Sequence, residues 1–178
     1  MNMGIRHILA LLVFGSVLVT VATDHAAWVN FYHKNINFEC PHGQSIVYLY
    51  SWVNTALDDR SWRIDCASRS GLSIGSCSWS GYGTLTGSQN YACSSNGALA
   101  GIRSYYDAST KDRRYAYRCC VVSDVSGQVC SLTGFVGNID SNWEYGVPSN
   151  DYVNGMSTTF DSSAKDRRWK IKECRYRE

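Results

Sequence analysis

The chain carries one motif in three versions, and the last of them reads Asp166-Arg167-Arg168-Trp169-Lys170-Ile171-Lys172-Glu173-Cys174. The first version reads Asp59-Arg60-Ser61-Trp62-Arg63-Ile64-Asp65-Cys66, and the second reads Asp112-Arg113-Arg114-Tyr115-Ala116-Tyr117-Arg118-Cys119-Cys120. The intervals between successive starts are almost equal (112 − 59 = 53 and 166 − 112 = 54). A fixed period of this size indicates an architecture built from repeated supersecondary units.

Each motif alternates like a β-strand, because Trp62, Ile64 and Cys66 share one face while polar residues take the other. Similar polar residues also recur at matching distances before each motif. The pattern predicts a strand, a polar turn of about eight residues, and a returning strand with a large aromatic anchor. The anchors are Trp62, Tyr115 and Trp169. We therefore expect an all-β fold of three repeats of about 53 residues, stapled by disulfides in a pseudo-threefold, β-prism- or trefoil-like arrangement.

The acidic and basic pair that opens each motif is interpreted as structural. Catalytic sites are normally assembled once from unlike residues, whereas these pairs are three near-identical copies. Alternation places each arginine on the face of its aromatic anchor, where it can lie along the ring or pair with a carboxylate. A direct contact with ligand is the alternative role. The residues concerned are Asp59, Arg60, Asp112, Arg113, Asp166 and Arg167.

The sequence contains no HExxH and no glycine-rich phosphate loop. Beyond the segment 1–22 the only histidines are His25, His33 and His42, all far from the repeated motifs. The sequence therefore predicts a protein that is not an enzyme and that needs no cofactor.

The segment 1–22 has the pattern of a secretory signal peptide. Arg6 and His7 form a basic start, the run from Ile8 to Val21 is almost wholly apolar, and small residues follow. That run is too short for a comfortable membrane span, and no later segment is apolar enough to cross a bilayer. We expect a signal peptide at 1–22 and a single secreted domain at 23–178.

All eight cysteines follow the signal segment, and an even count in an exported chain indicates disulfides. A zinc site is disfavoured because no CxxC pair occurs. Cys40 and Cys93 each precede the Asp of a motif by the same interval (59 − 40 = 112 − 93 = 19), so each can close its own unit. This spacing predicts Cys40–Cys66, and Cys93 with either of the adjacent Cys119 and Cys120. Cys77 is then expected to pair with whichever of Cys119 and Cys120 does not bind Cys93, and the remaining pair is Cys130–Cys174.

The mature chain is nearly neutral, because the formal net charge of +2 falls to +1 once Arg6 is removed. Basic residues are nevertheless concentrated in the third motif, where alternation places them on the face opposite Trp169. Cations spaced along a strand can bind successive anionic groups of a polymer. The alternative is that they have no ligand and form a solvated outer face. Nucleic acid is excluded as a partner by export. The predicted polyanion-binding residues are Arg168, Lys170, Lys172, Arg175 and Arg177, with Arg114 and Arg118 in the second copy.

Several stretches together resemble the dermatopontin family of extracellular matrix proteins, whose invertebrate relatives include agglutinins and an amebocyte aggregation factor. They are Trp28-Val29-Asn30, Phe38-Glu39-Cys40-Pro41-His42-Gly43-Gln44-Ser45-Ile46, Asp59-Arg60-Ser61-Trp62, Asn96-Gly97-Ala98-Leu99-Ala100-Gly101 and Cys119-Cys120. The resemblance implies a non-enzymatic, β-rich adhesion protein. Carried over by position, it also implies the bridges Cys40–Cys66, Cys77–Cys119, Cys93–Cys120 and Cys130–Cys174. This set departs from strict repeat symmetry, which prefers Cys93–Cys119. Vertebrate members have one more bridge, near the third unit.

Two function classes follow from the resemblance. The first is a matrix adhesion protein that binds sulfated glycans or proteoglycans, matrix proteins or cell-surface receptors and, in vertebrate members, promotes collagen fibril assembly. The second is a soluble carbohydrate-binding agglutinin that aggregates cells in invertebrate defence. Self-association and multivalent binding suit both classes, because three repeats can present three sites.

Overall fold

The computed structural model describes residues 27–123 and 126–177, so the expected signal peptide at 1–22 lies outside the described residues. As expected, the fold is all-β, and the one helical segment in the described part is a 3₁₀ turn at Ser94–Asn96. No helix there could span a bilayer. The strands are β1 (Ile36–Glu39), β2 (Ser45–Asn54), β3 (Asp59–Ala67), β4 (Ser73–Trp79), β5 (Gln89–Ala92), β6 (Ala98–Asp107), β7 (Asp112–Ser123), β8 (Ser126–Leu132), β9 (Trp143–Gly146), β10 (Asp151–Asp161) and β11 (Asp166–Arg177).

Three long antiparallel hairpins carry the three motifs: β2–β3, β6–β7 and β10–β11. The connecting turns span only four residues each, 55–58, 108–111 and 162–165, and not the expected eight. The strands run further because the residue that ends each first strand caps the turn with its own side chain. Oδ1 of Asn54, Asp107 and Asp161 accepts backbone N–H bonds from the two residues at positions +2 and +3.

Short strands connect the hairpins to one another. Strand β1 pairs with β6, β5 pairs with β10, and β9 pairs with β2, all antiparallel. The short strand of each unit therefore pairs with the hairpin of the next unit, and β9 of the third unit pairs with the hairpin of the first. The resulting sheets have the orders β1-β6-β7-β4, β5-β10-β11-β8 and β3-β2-β9. No hairpin can reach its final pairing without another unit.

The three aromatic anchors meet in the core. Trp62, Tyr115 and Trp169 are each at most 3% exposed. Their ring centroids lie 6.1 Å (Trp62–Tyr115), 5.1 Å (Trp62–Trp169) and 4.9 Å (Tyr115–Trp169) apart, all in edge-to-face geometry. This arrangement suits the charge distribution of aromatic rings. The predicted inward orientation of the anchors is confirmed by their burial.

All eight cysteines form disulfides, but the two central pairings implied by the family resemblance are wrong. The structure has Cys77–Cys120 and Cys93–Cys119, and not Cys77–Cys119 and Cys93–Cys120. The reason is the register of β4 on β7. Cys120 lies directly opposite Cys77, with a Cα–Cα distance of 3.9 Å, while Cys119 lies opposite Ser78. The expected Cys40–Cys66 and Cys130–Cys174 bridges are both present.

The four bridges fall into two kinds that follow the repeat. Cys40–Cys66 and Cys93–Cys119 both have a separation of 26 in sequence, and neither lies between paired strands. Cys77–Cys120 and Cys130–Cys174 have separations of 43 and 44, and each joins neighbouring strands of one sheet. In the third unit, the positions that match the first kind hold Val147 and Glu173 (93 + 54 and 119 + 54).

The backbone N–H of Val147 makes the same hydrogen bond as the backbone N–H groups of its cysteine counterparts. The N–H groups of Cys40, Cys93 and Val147 donate to the carbonyls of Ala100, Asn154 and Val47 at 2.8–2.9 Å. In place of a bridge, the Tyr145 hydroxyl donates a hydrogen bond to the Glu173 carboxylate. Burial of Tyr145 and this hydrogen bond both raise the pKa of Tyr145. The third junction of this kind is therefore held without a covalent bond.

We predict that Val147→Cys combined with Glu173→Cys forms a fifth disulfide. A loop of this length should raise the free energy of unfolding by about 3.5 kcal/mol in the chain-entropy estimate. Thiol titration and denaturant unfolding without reductant would measure the result. Each single variant serves as a control. Two free thiols in the folded double variant would contradict the positional equivalence.

Candidate functional site

The Asp and Arg residues of the three motifs form buried ion pairs between units. Arg60 donates two hydrogen bonds to Asp166, both at 2.6 Å. Arg167 contacts Asp112, and Arg113 contacts Asp59, each pair at 2.6 and 2.7 Å. Each unit therefore gives an arginine to one neighbour and an aspartate to the other, and the three pairs close a cycle. Two-point contacts of this kind are the strong form of the Arg–carboxylate interaction.

Backbone groups satisfy much of the remaining hydrogen-bonding capacity of these side chains. The three carboxylates accept backbone N–H bonds from His33, Thr86 and Asp140, each located 26 residues before the aspartate of its own unit. The arginines also donate to backbone carbonyls. Those carbonyls belong to the next residues, Lys34, Gly87 and Ser141. The cycle thus also holds the three loops that precede the motifs.

The geometry favours a scaffold role for this cycle over contact with ligand. The opening beside it has a volume of about 20 Å³, enough for one water molecule. Burial alone would lower the pKa of Arg113, but the hydrogen bond to Asp59 and nearby negative charge outweigh burial and raise that pKa. The Arg113 guanidinium is therefore charged at neutral pH, and two of its three nitrogens donate to Asp59.

We predict that Arg113→Met lowers the free energy of unfolding by about 3–5 kcal/mol, because it leaves the buried carboxylate of Asp59 without its partner. Urea unfolding of the oxidised protein would measure the change. The matched control is Lys111→Met, which removes an exposed pair with Asp58 and should destabilise the protein far less, because exposed pairs contribute little. Equal losses in the free energy of unfolding for the two variants would contradict the prediction, because the buried pair would then stabilise the protein no more than the exposed pair.

The predicted basic stripe lies on the outer face of β11. Arg168 is exposed, while Lys170 and Lys172 are half-buried, and the intervening Trp169 and Ile171 face the core. Arg168 and Lys170 share one aromatic ring, since their charged groups lie 4.2 Å and 4.6 Å from the centroid of Phe135. Among the described residues, none of these three cations is in an ion pair.

The other predicted cations of the third unit are placed differently. Arg175 is paired with Asp151 through two hydrogen bonds of 2.9 and 3.2 Å, and this contact raises its pKa. Its charge is thereby locally balanced, although its side chain is 68% exposed. The side chain of Arg177 lies outside the described residues. The structure therefore gathers Arg168, Lys170 and Lys172 on one face and sets Arg175 apart.

The second copy carries its two predicted cations on β7, in a different sheet. Arg118 lies 3.4 Å from the carboxylate of Glu39, so acidic charge is close by. Arg114 is half-buried, and its guanidinium lies 5.9 Å from the centroid of the Tyr105 ring. Neither residue joins the face on β11, which makes the third unit the more strongly basic surface.

Phe135 was missed by reasoning from the sequence alone. It lies in the loop after β8 and is 43% exposed, yet its ring contacts two cations of the stripe. A signal was present, because an aromatic residue lies at nearly the same distance before the aspartate of the second and third motifs: Tyr82 precedes Asp112 by 30 residues, and Phe135 precedes Asp166 by 31. The first unit has a similar contact, between Arg63 and the Trp28 ring at 4.3 Å.

The described residues contain neither a cluster of metal ligands nor a free thiol. In segments 27–123 and 126–177, no group of three His, Cys, Asp or Glu residues could hold a metal ion. The described cysteines are all oxidised and cannot act as thiolate nucleophiles.

These features define a class: a disulfide-stapled, all-β protein with three related hairpins and outward-facing cation–aromatic clusters. The sequence profile of the Dermatopontin family matches residues 30–178, and the chain belongs to this family. The hemagglutinin/amebocyte aggregation factor of Limulus polyphemus is 30% identical over 89% of this chain and 93% of its own length. Dermatopontin of Biomphalaria glabrata is 31% identical over 84% of this chain and 100% of its own length. Dermatopontin of Bos taurus is 32% identical over 83% of this chain and 76% of its own length. No solved structure matches significantly.

Proposed function

We propose that this chain is a secreted, non-enzymatic adhesion protein of the extracellular matrix that binds sulfated glycans through the outer face of β11. The observation that carries the proposal is the cation group Arg168, Lys170 and Lys172, which lies on one face of one strand without an ion pair in the described part of the chain. Four disulfides suit an oxidising compartment, and family membership supports adhesion or aggregation. In this proposal, residues 1–22 are removed and 23–178 form the mature domain.

The spacing of the three cations supports a polymeric anion as ligand. Alternate residues of a strand lie roughly 7 Å apart. Sulfate groups along an extended glycan can therefore meet successive side chains. Phe135 orders the first two cations, because a cation over an aromatic face is held in place. Preordering reduces the entropy that binding must remove.

An approximate threefold arrangement of the units is part of this proposal. It is supported by the closed cycles of ion pairs and of strand pairings. Each unit then presents its outer face in a different direction. With different side chains on the three faces, one molecule contacts glycans, matrix proteins and cell-surface receptors on separate sides.

The agglutinin function remains as a second candidate. A Limulus relative carries the name hemagglutinin/amebocyte aggregation factor, and that name favours cell aggregation for this chain too. The salt dependence of binding distinguishes the two functions. Binding to any sulfated chain that is lost at high ionic strength supports the matrix function, whereas binding to particular sugars that survives high salt supports the agglutinin.

We predict that replacing Arg168, Lys170 and Lys172 together by Gln strongly lowers the NaCl concentration at which the protein elutes from heparin. Gln keeps part of each stem and removes the charge. Each substitution on this outer face should change stability by no more than about 0.5 kcal/mol, so the protein stays folded.

The matched control is Arg114→Gln with Arg118→Gln, which removes cations from the second unit. Because Arg118 is already near Glu39, we expect this variant to elute close to the wild type. Unfolding curves of both variants would establish that they are folded. Unchanged elution of the folded triple variant would mean that the stripe is only a solvated face.

A further inference from the structure

The outer face of the first hairpin carries aromatic side chains along β2. Leu49 and Ser51 are completely buried, so the residues that alternate with them face outward. The outward residues are Tyr48, Tyr50 and Trp52, and we call them the aromatic row. Trp52 is 46% exposed, although tryptophan is highly buried on average in folded proteins. The exposed ring indicates a surface that contacts another molecule.

The fold itself does not require aromatic residues at these positions. The second unit is offset by 53 residues and the third by a further 54. The matching residues are Gly101, Arg103 and Tyr105 in the second unit, and Gly155, Ser157 and Thr159 in the third. Small residues therefore satisfy the same three places in the third hairpin. The aromatic row distinguishes the first unit, which favours a role in binding.

The rings of the row are held in position before any partner arrives. The Trp28 ring lies beside them, with centroids 5.8 Å from Tyr50 and 6.0 Å from Trp52. The Tyr48 hydroxyl donates a hydrogen bond of 2.7 Å to the carboxylate of Glu144 on β9. Burial and this carboxylate raise the pKa of Tyr48 to about 12, so the hydroxyl keeps its proton at neutral pH. Such ordering reduces the entropy that binding must remove.

The charges beside the aromatic row are negative on balance. Glu144 of β9 and Asp65 of β3 are both paired in register with residues of the row. Arg63 of β3 is paired in the same way, and its guanidinium lies 4.3 Å from the centroid of the Trp28 ring. Cations are attracted to the faces of tryptophan and tyrosine rings as well as to carboxylates. This face therefore suits a partner that presents several cations.

The basic stripe on β11 has the spacing that the aromatic row requires. Arg168, Lys170 and Lys172 alternate along their strand as the three rings do, and alternate residues of a strand lie roughly 7 Å apart. None of these three cations is in an ion pair in the described part of the chain. The row and the stripe lie on different sheets of the fold. The complement of each is therefore found on a second copy of the chain.

We propose that the aromatic row of one copy binds the basic stripe of a second copy. This inference rests on the proposed function, because both make the stripe a binding surface. Two unlike patches meet in such a contact, and contacts of this kind extend into open chains of molecules when the rotation does not close. A sulfated glycan and the next copy compete for the same stripe. The glycan therefore determines whether the protein assembles with itself or attaches to matrix.

The test is sedimentation velocity of the full mature protein over a wide range of protein concentration. It is run in about 0.05 M and about 0.5 M NaCl, where the Debye lengths are about 14 Å and about 4–5 Å. We expect concentration-dependent association in low salt, and monomers in high salt or with an excess of a short heparin oligosaccharide. A wild type that stays monomeric in low salt overturns the proposal, while its retention on heparin would leave the proposed function intact. Association that the oligosaccharide does not reverse would equally overturn it.

The first variant is Tyr50→Ser combined with Trp52→Thr, because the third unit already has Ser157 and Thr159 at these positions. It should lose association and still elute from heparin like the wild type. Trp52→Thr alone changes one exposed ring and should weaken association about tenfold, through loss of one partly desolvated cation–ring contact. Tyr105→Thr is the matched control on the second unit and should associate like the wild type. Wild-type association of either variant of the row would contradict the proposal.

A mixing experiment tests the pairing of two unlike patches. The double variant of the row keeps its basic stripe, and the variant in which Arg168, Lys170 and Lys172 are replaced by Gln keeps its aromatic row. Each variant alone should be monomeric. An equal mixture should form dimers that contain one molecule of each and grow no further. Association of either variant alone, or a mixture that stays monomeric although the wild type associates, overturns the proposal.

Discussion

The fold depends on three ion pairs that close on themselves, because each joins a different pair of units. A buried charge is expensive unless it is paired and hydrogen-bonded, so every arginine of the cycle requires the neighbouring unit to be in place. The same pairs fix the loops through backbone hydrogen bonds to the three carboxylates. Trp62, Tyr115 and Trp169 pack together in the core of the same three hairpins. The polar cycle thus defines which surfaces of the hairpins may meet, and the rings supply the apolar burial.

Periodicity in the sequence was sufficient to predict the motif strand of each hairpin and its buried side. Alternation around Trp62 and Trp169 reproduces the observed inward and outward faces, and therefore also the location of Arg168, Lys170 and Lys172. The short, capped turns were also predictable, since Asn54, Asp107 and Asp161 recur at the same distance before each motif. Such residues typically hydrogen-bond to the backbone just after themselves, which shortens a turn.

Contacts between units could not be read from the sequence. It shows an Asp next to an Arg in every motif, but Arg60 binds Asp166, which is 106 residues away, and not its neighbour Asp59. The partners of Cys119 and Cys120 depend on the register of β4 on β7, which shifts between Ile74 and Cys77. Repeat symmetry was the better guide there, because it favoured Cys93–Cys119, whose separation of 26 equals that of Cys40–Cys66. The role of Phe135 likewise depends on where a loop lies in space.

The circular order of the contacts has a consequence for how the chain acquires its structure during synthesis. The first hairpin emerges early, but strand β2 must wait for β9, and Arg60 must wait for Asp166 near the end of the chain. A nascent chain that stops after the second unit would leave Arg60, Asp112, strand β5 and one edge of β2 without partners. Stepwise, unit-by-unit folding during synthesis is therefore unfavourable. The cycle of contacts is complete only once the last hairpin is in place.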